Sequence, residues 1–203
     1  MGVNWWRLRV VPHPDTVPYA AAFDDLIEAT PPGGEVAYDL PQPKWWFLHH
    51  LTRRGFLLHG TNRRELTEMR TRATFDAHGA PIDAAFASDD ALWPLYFAVV
   101  DRDFAQSYIN WCEHPGNGTS RYLFSIGSDP RDPRSWSDGT IYILDGATFQ
   151  QTPGSREFTS RVPVSPRARL HVTPADFPLK DRTRGHRRGD SVRKVSILHA
   201  LRL

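Results

Sequence analysis

The residues best suited to chemistry cluster in one stretch, Gly55 to Ser88 (GFLLHGTNRRELTEMRTRATFDAHGAPIDAAFAS). It opens on an apolar run, Phe56-Leu57-Leu58, that ends in His59-Gly60-Thr61. It closes on a second run, Ala84-Ala85-Phe86-Ala87-Ser88, directly before Asp89-Asp90. A polar triplet ending an apolar strand sets an imidazole and open backbone N–H groups at a sheet rim, where ligands bind. His59 suits such a place because a neutral imidazole both donates and accepts a hydrogen bond. Gly60 suits it because a backbone without Cβ can be approached closely. Each residue also has a plainer role. His59 is equally a strand-end histidine satisfied by backbone, Ser88 a helix-capping side chain, and Phe86 or Tyr96 a core aromatic. Glu157, between Arg156 and Arg161, is by itself one more surface carboxylate.

Other chemistries find less support. The single cysteine, Cys112, excludes an internal disulfide framework, and in its Trp-Cys-Glu setting it reads as a small buried apolar residue. No Cys/His array has zinc spacing. The scattered histidines and Ser88-Asp89-Asp90 assemble no hydrolase triad with a recognisable elbow. The segment Lys180 to Lys194 (KDRTRGHRRGDSVRK) is the only charge-dense stretch. Arg182, Arg184, Arg187, Arg188, Arg193 and Lys194 could meet phosphates of a nucleic acid. Asp181 and Asp190 dilute that charge and no aromatic is interleaved, so an exposed loop is the expectation.

The elements that must position these residues follow from periodicity and breakers. Trp5 to Val11 reads as a strand stopped by prolines 12, 14 and 18. Tyr19 to Ala29 has helical spacing at Ala22, Phe23, Leu26 and Ile27. Pro43 to Arg54 is a second amphipathic helix, with Gly55 where a C-terminal cap belongs. The strand Phe56 to His59 follows. Asn62 and Glu65 have capping-box spacing, which predicts a short helix to Arg72. After a turn at His78-Gly79-Ala80-Pro81 comes the strand ending at Ser88. Asp89 or Asp90 then caps a helix towards Val100, with Pro94 near its first turn. Asp103 to Cys112 is expected to continue as helix. Tyr122 to Ile126 and Thr140 to Leu144 are expected to form a hairpin across the connection DPRDPRSWSDG. Further strands are expected at Phe149 to Thr152, Glu157 to Val164 and Leu170 to Thr173, with a last strand or helix at Val195 to Leu201. Helices first and strands later is an α+β pattern.

Length and composition bound the rest. A chain of 203 residues buries a full core and reads as one domain over residues 1–203, with a second small lobe left open. The net charge of +2 does not make a polycation. No apolar run approaches the roughly 18 residues of a membrane span, and MGVNWWRLRV lacks a signal-peptide core. A cytoplasmic protein without a membrane partner is the expectation.

The His-Gly-Thr strand, the capped segment after it and the strand ending Phe-Ala-Ser carry a resemblance. So does Glu157 opening EFTSRVPV before Pro166-Arg167-Ala168-Arg169-Leu170. In this order they resemble the ADP-ribosyltransferase superfamily of polymerase- and toxin-like proteins. The resemblance implies a split antiparallel β-sheet core over about residues 45–172, with an N-terminal helical segment (about 1–44) and a basic loop (180–194). It implies NAD as substrate, a protein or nucleic-acid acceptor of ADP-ribose, and no metal. His59 would bond ribose hydroxyls, and the backbone around Gly60 and Thr61 would hold the nicotinamide amide. Phe86 and Ser88 would line the pocket, with Phe86 or Tyr96 stacking on nicotinamide. Glu157 would bond the ribose 2′-hydroxyl and favour the oxocarbenium-like state. The family's Tyr-Phe-Ala signature occurs here at Tyr96-Phe97-Ala98, in a helix-like run, so Phe86 is preferred. Two alternatives stand beside this: RNA 2′-phosphotransferase-like chemistry, which also consumes NAD, and a non-catalytic module binding NAD or ADP-ribose. Oligomeric state is left open.

Overall fold

The computed structural model describes residues 10–63, 65–75, 79–187, 189–191 and 194–195. The chain is mixed α and β, with strands predominating, and it divides into two compact units. The larger comprises Asp15–Val99 and Asp138–Asp176. The smaller comprises the described residues of Met1–Pro14, Val100–Ser137 and Phe177–Leu203.

In chain order, β1 (Val10–Pro12) leads to a 3-10 turn and α1 (Ala20–Ala29), then β2 (Gly34–Glu35) and α2 (Lys44–Arg53). Next come β3 (Leu57–Thr61), β4 (Arg72–Phe75), β5 (Pro81–Ser88), α3 (Leu92–Val99) and α4 (Arg102–Ala105). Strands β6 (Tyr108–Glu113), β7 (Thr119–Ile126), β8 (Gly139–Leu144), β9 (Gln150–Gln151), β10 (Glu157–Ser160), β11 (Ala168–Val172) and β12 (Arg184–Gly185) complete the chain.

In the larger unit, α1 buries Phe23 and Ile27, and α2 buries Phe47, Leu48, His50 and Leu51. Phe23 packs against the rings of Phe47 and His50. The end of α2 is closed by Gly55 at φ +91. There Gly55 N–H donates to Thr52 O and Phe56 N–H to Leu51 O. This paired closure satisfies the last carbonyls and needs a residue that tolerates positive φ. It turns the chain directly into β3.

The sheet of this unit runs β2-β11-β8-β3-β5-β10-β9, with β4 also on β5. Strand β8, Gly-Thr-Ile-Tyr-Ile-Leu, is buried along its whole length, as a β-branched run in a central position should be. It pairs with β3 over five residues, Leu57↔Leu144 to Thr61↔Thr140. β5 and β10 pair from Ser88↔Glu157 to Ala85↔Ser160. Between β3 and β5 the register holds a single pair, Leu58↔Ser88. Two ladders therefore meet at one narrow junction.

Helix α3 starts where Asp90 Oδ1 accepts from the N–H groups of Leu92 and Trp93. Pro94 falls in the first turn, where no N–H is needed. The helix lies so close to the sheet that a Cβ on Gly60 would stand 1.7 Å from Pro94 O, and one on Gly139 1.9 Å from Ala98 O.

The structure corrects the expected helix at Asn62 to Arg72: the described residues there form no helix until β4 begins. Tertiary partners take the backbone groups instead. Arg63 N–H donates to Thr61 Oγ1, Leu66 N–H to the Tyr142 hydroxyl, and Met69 exchanges both backbone bonds with Val164.

In the smaller unit, β7 carries β6 along one side and β1 and β12 along the other. The helix expected at Asp103 to Cys112 is also corrected. α4 ends after four residues, Gln106 takes φ 59, and Tyr108–Glu113 pairs with β7 as strand. The expected hairpin of Tyr122–Ile126 with Thr140–Leu144 does not form, because β7 and β8 belong to the sheets of different units. Within the connection, Asp132 caps its own turn and Trp136 Nε1–H donates to Pro130 O. Residues 5–9 of the first expected strand and 196–201 of the last element lie outside the described residues. Among the described residues, no helix is long and apolar enough to cross a membrane.

Candidate functional site

The seven residues to which the resemblance gives a role, His59, Gly60, Thr61, Phe86, Ser88, Tyr96 and Glu157, all fall in the larger unit, on β3, β5, α3 and β10. His59 is the residue after the pairing one, Leu58. It donates from Nδ1 to the carbonyl of Phe86 at 2.8 Å. A carbonyl only accepts, so Nδ1 carries the proton and the neutral ring has Nε2 as its acceptor nitrogen. The imidazole thus leans across to β5, where the β3–β5 ladder has no further pair.

Ser88 joins three strands in one row, opposite Leu58 on β3 and Glu157 on β10. At about 4.8 Å per strand, Leu58 and Glu157 stand about 10 Å apart across that row. The Ser88 hydroxyl donates to Arg156 O and accepts from Asp90 N–H, so it ties the strand end to the start of α3. Glu157 Oε1 accepts from Thr152 Oγ1 at 3.3 Å.

Burial separates the set. Thr61, Ser88 and Tyr96 are buried, Tyr96 completely, whereas His59, Phe86 and Glu157 are partly exposed. Tyr96 lies in α3 among core side chains. Gly60 has a packing reason as well as the chemical one, since α3 occupies the space a side chain would fill. Thr61 Oγ1 accepts from Arg63 N–H and shapes the exit of β3.

Two neighbours escaped the sequence reading. Arg156 and Asp89 form an ion pair with Nε 2.6 Å from Oδ1, and the same guanidinium donates to Asp89 O. Burial pushes the Asp89 carboxyl above its ordinary range, and the Arg156 charge opposes that shift. The pair sits at the rim beside Ser88 and Glu157. Only the antiparallel register of β5 and β10 brings it there, because 67 residues separate the partners. Arg63, beside Thr61, is exposed, and Arg64 lies outside the described residues. Among the described residues no group of three or more His, Cys, Asp or Glu side chains could hold a metal ion.

Comparison with family models, with curated proteins and with solved structures finds no match for this chain. The fold and the site define a class in coarse terms: a mixed α+β chain, mostly strand, in whose larger sheet β3 and β5 are joined by a single residue pair.

Proposed function

We propose that the larger unit is an ADP-ribosyltransferase-like domain that binds NAD and transfers its ADP-ribose to a protein or nucleic-acid acceptor. The observation that carries this reading is the junction of β3 and β5, one residue pair wide, with His59 reaching across it to the Phe86 carbonyl. A sheet divided there is in keeping with the split antiparallel core that the resemblance implies. In the proposed complex, Nε2 of His59 accepts from a ribose hydroxyl. Backbone groups at Gly60 and Thr61 hold the carboxamide, and the partly exposed ring of Phe86 stacks on nicotinamide. Buried Ser88 and Tyr96 support the wall. Nicotinamide leaves with the electrons of its bond to C1′, and an acceptor nucleophile bonds that carbon and gives up a proton. Glu157 supplies a carboxylate to the positive charge that grows on the ribose.

A binding-only reading draws on a different observation. Glu157 bonds to Thr152 and stands in the Leu58–Ser88 row, about two strand spacings from β3. An RNA 2′-phosphotransferase-like reading asks for a basic acceptor groove, towards which exposed Arg63 is the relevant described residue.

The test is nicotinamide release from NAD, with NAD titrated into the same protein by calorimetry. Glu157→Gln is expected to cut release about 100-fold while keeping binding, the cost of one preorganised charge. His59→Ala is expected to weaken both. NAD binding without release in the wild type, acceptors supplied, supports the binding module. No NAD binding overturns both.

A further inference from the structure

A different cluster occupies the smaller unit. Ser107, Ser125 and His186 come from three separate stretches and meet at one end of its sheet. β6 and β12 flank β7, with Tyr108 and Gly185 both in register with Ile126. Ser107 immediately precedes β6 and His186 immediately follows β12. Ser107 O accepts from Gly127 N–H, and His186 N–H donates to Ile126 O, both at 2.8 Å. Their side chains converge over the end of β7. Ser107 Oγ lies 3.0 Å from His186 Nε2, and Ser125 Oγ lies 2.9 Å from Nδ1.

Counting donors places the protons. The Ser125 hydroxyl gives its one hydrogen to Arg184 O at 2.9 Å. Its oxygen must then accept from the ring, so Nδ1 is protonated and Nε2 is a lone pair. The Ser107 hydroxyl therefore points its hydrogen at Nε2. Burial holds His186 below its ordinary imidazole range, opposed by the carboxylate of Asp190, so the ring is a neutral base at pH 7. A hydroxyl, its base and a third group orienting the base make an activated nucleophile.

Two backbone features serve the same atom. Gln106 is the one described non-glycine residue at positive φ, 59°. A left-handed conformation costs about 1 kcal/mol or more, and here it turns the chain from α4 into Ser107. A Cβ on Gly127 would stand 2.3 Å from Ser107 Oγ, so the glycine leaves the space that the hydroxyl occupies. Ser107 is partly exposed. Ser120, which bonds His13 and His114 at 2.7 Å each, is completely buried and out of a substrate's reach.

We propose that Ser107 and His186 form a second chemical site, a serine nucleophile with its general base, open to small activated acyl esters. Nε2 takes the Oγ proton as Oγ bonds to the carbonyl carbon, and the alcohol leaves with that proton. A water molecule, deprotonated by the same nitrogen, then releases the acid and restores the serine. Ser125 is a positioning residue for the imidazole.

The test treats the full-length protein with a fluorophosphonate probe and, separately, with p-nitrophenyl acetate. In the probe reaction the Oγ–P bond forms, the P–F bond breaks, fluoride leaves and the proton passes to Nε2. Peptide mass mapping of the wild type is expected to place the label on Ser107, a result independent of whether any variant folds. Ser107→Ala is expected to abolish labelling and esterase turnover, and His186→Gln to slow both about 100-fold. Ser120→Ala should match the wild type. The labelling rate should rise with pH to a midpoint below 6.5, and Ser125→Ala should lower that midpoint further. Absence of label from Ser107 in native protein, or wild-type labelling in a folded His186→Gln variant, overturns the proposal.

Discussion

At the scale of single residues, the hydrogen-bond partners decide which titratable groups report on folding. Asp24 accepts from His50 Nε2 at 2.8 Å and is paired with Arg54. The hydrogen bond from His50 is the largest influence and holds its carboxyl below the ordinary 3.8; burial opposes it, and the adjacent Arg54 guanidinium adds to the lowering. A depressed carboxylate contributes stability that is fully present above its unfolded pKa and is lost as pH falls through the folded one. Asp24→Asn is thus expected to cost about 1–2 kcal/mol at pH 7, with the gap to wild type narrowing below pH 3.8. Urea denaturation of both proteins at pH 7 and pH 3 measures it; an unchanged gap would mean that packing, not charge, is what the substitution removes.

At the scale of elements, α3 is the piece that fixes the geometry around β3. Gly60 and Gly139 sit on neighbouring strands, and both let a helix backbone come within the distance a methyl would need. Gly60→Ala and Gly139→Ala should each destabilise by about 3 kcal/mol or more, since backbone must move to admit the atom. Chemical denaturation checks the loss. The companion control is Gly55→Ala, where no atom lies within 4 Å but φ is +91. Its cost is conformational only, expected at about 1 kcal/mol.

At the scale of the whole molecule, each unit is assembled from separated stretches of chain. The larger unit takes β8, β9, β10 and β11 from the second half, and β3 depends on β8 for its five-residue ladder. A truncation after Ser137 is therefore expected to lose cooperative unfolding, because β3 and β5 would expose unpaired edges and lose Tyr142, Leu144 and Val164 from the core they share. Circular dichroism through a thermal ramp would show a sigmoidal transition for the full chain and none for the truncation.

What the sequence could settle was local. Periodicity found α1 and α2, Gly55 marked the end of α2, and the pair Asp89-Asp90 marked the start of α3, with Asp90 the one that caps it, because each of these rests on neighbours within a turn. The apolar runs at β3 and β5 were legible for the same reason, and with them the place of His59 at a strand end; the partial exposure of Phe86 was decided by the folded sheet. Long-range partners overrode local signals elsewhere. The capping-box spacing at Asn62 lost to the Tyr142 hydroxyl and to Val164, and Tyr108–Glu113 became strand because β7 offered it a full ladder. Only tertiary structure could put Ser88 between Leu58 and Glu157, set Arg156 against Asp89, or bring Ser107 to His186 across 79 residues. Periodicity records which side of an element is apolar. Which strands become neighbours is a property of the folded sheet, and both candidate sites depend on that neighbourhood.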